Sequence, residues 1–477
     1  MERPNFAEYE VPLTDEQLLE REIWMMTSGN WKVDHSIPSA GDHYRYMWRW
    51  DSTKAVVINA RRDDATRAYQ ELHTLLGYED PVTGFIPNKI FATAPGKTWR
   101  DYPEVLNFNR PEIGTSYAQP PLEAWAAWEM YEAYCRRGQP GTGVAALRRL
   151  YGQPGGDSQR GLRGVYNYFI NHRENGGGSS LIGIVHPNET GRDSDEANKP
   201  WLVNSSRDIS PQVEWLRMQK FTRTIGKLGR SAVRTDWLPE CVREKYWVND
   251  VMFNVLYAQN MRYMGDIAEL LASHSYGDDN RNFYAEDAKY FYSKAADVDL
   301  EIRERMWSDE HGFFYNLDGD GSKINVESVS GLFPLLLDDI ESEQVSELLR
   351  ALEDKDRFNT PYPLPTQSVS SRFYAPNPSG FKNQFTPQWS GPVWVDMNHI
   401  IAEGGLVKQA EQFPILRRRL LGRAAHIASK THELLALNPR SMEYYSPTDG
   451  HGMRVADFMW TNLGLHFEKT QQASKNL

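Results

Sequence analysis

The chain has 477 residues, long enough for a large core, with 40% hydrophobic and 25% charged residues as in ordinary globular proteins. Its 53 basic against 64 acidic residues leave a net charge of −11, which argues against nucleic acid or an anionic membrane as the main partner. Fifteen Trp, 24 Tyr and 19 Phe are an excess of aromatics, mostly core, whose faces also stack on sugar rings.

Apolar residues recurring at i, i+3, i+4 and i+7 predict helices at 15–28, 51–76, 121–137, 143–152 and, after a break, 158–173. Further helices are predicted at 210–229, 248–274, 283–307, 328–337, 342–354, 393–405, 415–436 and 453–466. Thr14 and Ser342 carry helix-start signals. The best strand signal is 312–328, read as a hairpin closed by Asp-Gly. No apolar run of about 18 residues predicts a membrane span. The polar, acidic start is not a secretory signal and Cys is scarce (Cys135, Cys241), so the expected location is cytoplasmic.

About a dozen helices without alternating strands predict an all-α fold. No repeat of 30–50 residues supports a solenoid. Long loops rich in Gly, Pro, Asn and aromatics alternate with short turns. That is how an α/α barrel behaves, its long loops gathering on one face around a pocket. No Gly/Ser linker divides the chain, so 1–477 is read as a single catalytic domain. Loops 77–120 and 355–392, with the small hairpin, are expected to cap the pocket.

Several chemistries are excluded by pattern. Asp318-Gly-Asp-Gly begins like a calcium loop, but Val329 stands where the twelfth-position Glu belongs, so a turn is the better reading. The His residues are scattered and no Cys pair has zinc spacing. There is no nucleophile elbow and no phosphate loop. No metal and no cofactor is expected.

Paired carboxylates remain, the requirement of glycoside hydrolysis. Five stretches could supply them and their pocket, each with a plain structural alternative. "HPNETGRDSD" (186–195) carries Glu189, Asp193 and Asp195 in a long loop; Asp193 or Ser194 could simply cap a short turn. "SMEYYSPTDGHG" (441–452) carries Glu443, which could be a surface acid before a turn. "YRYMWRWDST" (44–53) carries Tyr44, Trp48, Trp50 and Asp51, where Asp51 could be only a helix cap. "QWSGPVWVDMNH" (388–399) carries Gln388, Trp389 and Trp394, which could be core at a helix start. "SYAQPPLEAW" (116–125) carries Gln119, which could be a plain loop residue.

Taken in order, W-x-W-D-S, Q-P-P, E-T-G-x-D-S, G-P-V-W and E-x-Y-x-P-x-x-G resemble glycoside hydrolase family 63 and its trehalase relatives. The likeness spans roughly residues 40–465 and is nearest to small members that hydrolyse mannosylglycerate or glucosylglycerate. The resemblance implies an (α/α)6 barrel and an inverting enzyme acting on a small α-glucoside or α-mannoside. Asp193 then looks like the general acid and Glu443 like the general base. Tyr44, Trp48, Trp50 and Asp51 match the segment around the non-reducing sugar, and Gln119 and Trp394 match further contacts there, with Gln388 and Trp389 beside them. Two positions depart from the family. Arg192 stands where relatives carry Trp, Leu or Met, and a cation directly against Asp193 would favour its ionised form, wrong for an acid. Arg192 would therefore point away, or pair with Glu189 or with a substrate anion. Gln388 replaces a usual Tyr in the region that holds the aglycone, which puts glycerate in question. Arg192, Arg372 and Lys382 are the candidates for binding a carboxylate. The expected partner is a small saccharide or glycoside; a homo-oligomer is left open. The alternatives are a trehalase-like or α-glucan disaccharide glucosidase, phosphorolysis or transfer, and a non-catalytic sugar-binding protein on the same barrel.

Overall fold

The computed structural model describes residues 3–5, 9–41, 44–93, 113–152, 160–176, 178–203, 243, 246–378 and 388–475. Its principal helices are α1 (Asp15–Trp24), α2 (Arg49–Arg61), α3 (Ala65–Leu76), α4 (Glu123–Arg136), α5 (Pro140–Tyr151), α6 (Gly161–Arg173), α7 (Val251–Ser273), α8 (Asp278–Glu301), α9 (Ser342–Glu353), α10 (Val395–His399) and α11 (Arg417–Leu437). The strands form only two-stranded antiparallel ribbons: β1 (Met47–Trp48) with β2 (Lys89–Ile90), β3 (Glu174–Gly176) with β4 (Ser179–Ile182), β5 (Trp307–Ser308) with β6 (Phe313–Phe314), and β7 (Met442–Tyr445) with β8 (Gly452–Ala456). No described helix is long and apolar enough to cross a membrane.

Six inner segments close a ring. α2 packs on α4, α4 on α7, and α7 on the 3-10 stretch Val329–Leu336. That stretch packs on the π-helical Ile400–Leu406 that continues α10, α10 packs on the 3-10 stretch Met459–Leu465, and the latter returns to α2. α1, α3, α5, α8, α9 and α11 back the ring from outside, alternating with the inner segments along the chain. This is the (α/α)6 barrel expected from the sequence. Burial separates the layers as apolar patterning requires. α2 is buried at every position from Arg49 to Ala60, whereas α9 buries one stripe (Gln344, Val345, Leu348, Leu349, Ala351, Leu352).

Two ion pairs with no solvent exposure link inner segments. Arg49 Nε donates to Glu123 Oε1 at 2.5 Å, and Lys54 Nζ to Asp396 Oδ2 at 2.5 Å. Losing one partner of such a pair costs about 3–5 kcal/mol, so both pairs fix how α4 and α10 sit against α2.

Several predicted elements shift. The 51–76 helix is two helices, because Asp63 adopts a left-handed conformation (φ 57°) and Asp64 caps α3 through Arg67 N. The 453–466 helix begins instead as strand β8, which ends before the left-handed Asp457 (φ 56°). The 393–405 helix turns π-helical at Ile400, and the Gly404-Gly405 pair lies inside that stretch. The Asp318-Gly-Asp-Gly segment is a turn: Asp318 Oδ1 accepts from Asp320 N and Ser322 N, and Leu317 bridges Lys323. The helix predicted at 210–229 lies outside the described residues.

Candidate active site

Loops at the N-terminal ends of the inner segments surround a cavity of about 280 Å³. Ten expected residues line it together: Tyr44, Trp48, Trp50 and Asp51 entering α2, Gln119 before α4, Asp193 in its loop, Gln388, Trp389 and Trp394 before α10, and Glu443 on β7. The 77–120 and 355–392 loops thus both reach the pocket. Among the described lining residues none comes from 312–328; the hairpin that contributes is β7–β8.

Glu443 sits where the β7–β8 register shifts between Met442 and Tyr444, a bulge that re-aims a side chain. It is 2% exposed, which replaces the surface-acid reading. Its Oε1 accepts from Tyr44 OH at 2.8 Å and from Arg454 Nη1 at 2.9 Å. Its Oε2 has no hydrogen-bond partner among the described residues. Burial pushes the Glu443 carboxyl up; Arg454 and Tyr44 pull it back towards ionisation, while the charge of Asp193 adds to the upward push.

Asp193 follows a tightly built turn. His186 Nδ1 accepts from Asn188 N to start the 3-10 stretch Pro187–Thr190, and Gly191 closes it with φ 72°. A side chain at Gly191 would be strained by that φ and would begin 3.4 Å from the Trp50 ring. The three acids then part. Glu189 is fully buried and braces the loop: it accepts from Arg173 Nη2 (2.6 Å), Arg173 Nη1 (2.9 Å), Ala118 N (2.9 Å) and Val185 N (2.8 Å). Asp195 is the cap of the stretch Glu196–Asn198, accepting from Ala197 N at 2.9 Å. Asp193 is exposed and accepts from Gln388 Nε2 at 3.4 Å.

Arg192 corrects the expectation that it binds substrate. It is fully buried on the far side of the loop from the cavity lining, with Nε 3.0 Å from Asp195 Oδ2 and Nη2 2.6 Å from Asp250 Oδ2. The turn closed by Asp195 N donating to Arg192 O at 3.0 Å sends Asp193 to the cavity, while the Arg192 charge is spent on two buried carboxylates. Arg372 lies over the Phe373 ring at 4.7 Å and is not among the lining residues; Lys382 lies outside the described residues.

The walls are aromatic. Trp389 and Trp394 stack in parallel, 3.8 Å between centroids and 8° between planes, with Trp394 Nε1 donating to Gln388 O at 2.9 Å. Trp389 N donates to Ser194 Oγ at 2.9 Å, joining this wall to the Asp193 loop. Gln119 Oε1 accepts from Trp50 N at 2.9 Å. Beneath, Lys54 Nζ lies 3.4 Å from the Trp50 ring and 3.5 Å from the Trp460 ring. Burial raises Asp51 to about 7, with Lys54 opposing and Asp396 and Glu443 reinforcing. Burial likewise lowers Lys54 to about 7 against the pull of Asp396 and Asp51. Asp51 thus sits buried on the cavity wall with its carboxyl raised.

Sequence reasoning missed Arg454, Lys89, Phe458 and Trp460, all on the cavity wall. Lys89 was findable only through the β1–β2 pairing that puts it opposite Trp48, and Arg454 only through the β7–β8 pairing. Among the described residues no His, Cys, Asp and Glu gather as metal ligands.

Residues 44–461 match the family described as "Mannosylglycerate hydrolase MGH1-like glycoside hydrolase domain". The chain is 26% identical over 451 residues to a mannosylglycerate hydrolase of Thermus thermophilus, covering 89% of this chain and 94% of that one. It is 24% identical over 447 residues to mannosylglycerate hydrolase MGH2 of Selaginella moellendorffii, covering 90% and 80%. The solved structure of a family 63 mannosylglycerate hydrolase from Thermus thermophilus in complex with Tris and D-glycerate superposes with a TM-score of 0.71 at 23% identity, covering 94% of this chain and 98% of that one. The chain belongs to the mannosylglycerate hydrolase MGH1-like family of glycoside hydrolases.

Proposed function

We propose that this glycoside hydrolase cleaves a small α-glycoside with inversion, Asp193 acting as general acid and Glu443 as general base. The observation that carries the reading is the contrast between two carboxylates on one cavity. Glu443 is buried, held at Oε1 by two donors, and keeps Oε2 without a partner among the described residues, as a base for water should. Asp193 is solvent-facing beside the neutral Gln388 amide. Asp51 and Gln119 hold hydroxyls of a sugar lying against the Trp389–Trp394 wall. Asp193 gives its proton to the glycosidic oxygen as the C1–O bond breaks. Glu443 takes a proton from water as that water attacks C1 from the opposite face. Inversion requires about 6.5–9.5 Å between the carboxyls, room for one water.

Mannosylglycerate or glucosylglycerate is the favoured substrate. The relatives' names support the first of these, and Lys89 suits either, its ammonium lying 4.9 Å from the Tyr46 and Trp48 centroids on the same cavity where it would meet an anionic aglycone. Burial lowers Lys89 to about 8, so it is largely charged at neutral pH. The test is early-time proton NMR of reactions with α-mannosylglycerate, α-glucosylglycerate and trehalose. The reading expects cleavage of a glycerate glycoside with the β-anomer of the sugar appearing first. An α-anomer first would remove inversion, and turnover of trehalose alone would remove the substrate assignment.

A further inference from the structure

Asp193 is exposed, and among the described residues its carboxyl takes a single hydrogen bond, from Gln388 Nε2 at 3.4 Å, which is long. A proton donor has to stand about 2.6–3.2 Å from the atom it protonates. The chain on either side must then supply the placement that the carboxyl lacks. On the N-terminal side, Arg192 N donates to Thr190 Oγ1 at 3.0 Å and the Arg192 guanidinium is locked between Asp195 and Asp250. On the C-terminal side, Ser194 is held twice. The buried Lys199 donates through Nζ to the Ser194 carbonyl at 3.0 Å, and Ser194 Oγ accepts from Trp389 N at 2.9 Å. Glu196, 4% exposed, accepts from Ser390 Oγ with both carboxylate oxygens, at 2.8 and 3.0 Å.

The other halves of these contacts are three consecutive residues of the aromatic wall. Gln388 meets Asp193, Trp389 meets Ser194 and Ser390 meets Glu196, so two segments 195 residues apart run side by side. The wall segment is itself anchored. Ser390 O accepts from Ala375 N at 2.6 Å, Gly391 N donates to Thr366 Oγ1 at 3.0 Å, and Gln388 O accepts from Trp394 Nε1 at 2.9 Å. Trp389 stacks its ring on Trp394 and holds Ser194 with its backbone N–H, so wall and acid loop share one frame. The local turn does not require this link: Asp195, not Ser194, caps it through Ala197 N.

We infer that Ser194 and Glu196 are positioning residues for hydrolysis. They tie the loop of the proton donor to Trp389 and Ser390, so that the Asp193 carboxyl keeps a set offset from the face on which the sugar rests. The inference rests on the reading of Asp193 as general acid. A displacement of about 1 Å at such a group can cost on the order of 10²-fold in rate. The loss should fall on substrates whose departing oxygen needs a proton.

The test is steady-state kinetics of the full-length parent and of Ser194→Ala, Ser194→Thr, Ser390→Ala and Asp193→Asn. The substrates are whichever of α-mannosylglycerate, α-glucosylglycerate and trehalose the parent cleaves, and the dinitrophenyl α-glycoside of the same sugar. Ser194→Ala should lower kcat on the first substrate by about 10–10²-fold, with KM within about twofold, and stay within about threefold of the parent on the dinitrophenyl glycoside. Ser194→Thr keeps the hydroxyl and should follow the parent on both. Ser390→Ala should repeat the Ser194→Ala pattern; if it fails to fold, the half-buried Ser194 decides. Equal losses on both substrates, or no loss on either, would overturn the inference. Asp193→Asn separates this result from the assignment beneath it. If Asp193→Asn depends on the leaving group and Ser194→Ala does not, the positioning role alone fails. If Asp193→Asn keeps the parent rate on the first substrate, the acid assignment fails and the inference with it.

Discussion

Arg454 donates to Glu443 Oε1 at 2.9 Å from the neighbouring strand of the same hairpin, and does so from a left-handed backbone conformation (φ 68°). Such a conformation costs a non-glycine residue on the order of 1 kcal/mol. The contact it secures holds the proposed base in one orientation and favours its ionised form.

Replacing Arg454 with Met should therefore disturb the pH profile more than the fold. Without the guanidinium, burial acts on Glu443 with less opposition, so its carboxyl shifts up and the base is lost at higher pH than before. The acidic limb of kcat/KM should move to higher pH, with a deficit of about tenfold or more at pH 5 that narrows towards pH 8. Tyr44→Phe, which removes the second donor, should move the limb the same way by less. A profile that keeps its shape while falling uniformly would argue against this role.

Asp193→Asn and Glu443→Gln should each reduce kcat by roughly 10²–10⁴-fold on a natural glycoside. They should differ on a substrate whose leaving group needs no proton, such as a dinitrophenyl α-glycoside. The Asp193 variant should recover most of its loss there and the Glu443 variant none. Equal recovery in both would reverse or void the assignment.

Arg192 makes the opposite kind of prediction. Arg192→Met leaves Asp195 and Asp250 buried without their shared cation, a loss on the order of 3–5 kcal/mol. A drop in Tm, with KM for glycerate glycosides nearly unchanged in the protein that still folds, is the expected result. A raised KM without loss of Tm would restore it to the substrate site.

His466 should govern alkaline stability. Burial alone would lower it, but its hydrogen bonds to Glu22 Oε1 (2.6 Å) and Glu468 Oε1 (3.1 Å) raise it to about 9. A histidine bound more tightly to its proton in the folded state stabilises fully below the unfolded value, near pH 6.5. That contribution drains away as pH rises through 9. His466→Gln should cost on the order of 2 kcal/mol at pH 6, and its gap from the parent should close between pH 6.5 and 9.5 in a thermal-melt series.

Much of this is legible from residue order. The barrel follows from about a dozen amphipathic stretches and uneven loops, and the placing of Asp193 and Glu443 on one cavity from two motifs 250 residues apart. Arg192 is misplaced by sequence alone because adjacency to Asp193 says nothing about side: its partner Asp250 is distant in the chain and has no local signal. β8 passes for helix because Val455, Phe458 and Met459 also satisfy helical spacing, and only pairing with β7 decides between the two periods. Lys54 is invisible for a different reason. A lysine entering a helix looks solvated until a Trp closes on each side of it.

The ring closes where Met459–Leu465, the last inner segment, meets α2, the first. Asp193 and Glu443 thus stand on one pocket only after the two ends of the chain have been brought together. Contacts of such sequence separation carry the largest loop-closure penalty and form late. Catalytic competence is therefore a readout of global topology: on refolding, helicity should return before turnover does, and a chain stopped short of β7 would be rich in helix and chemically silent.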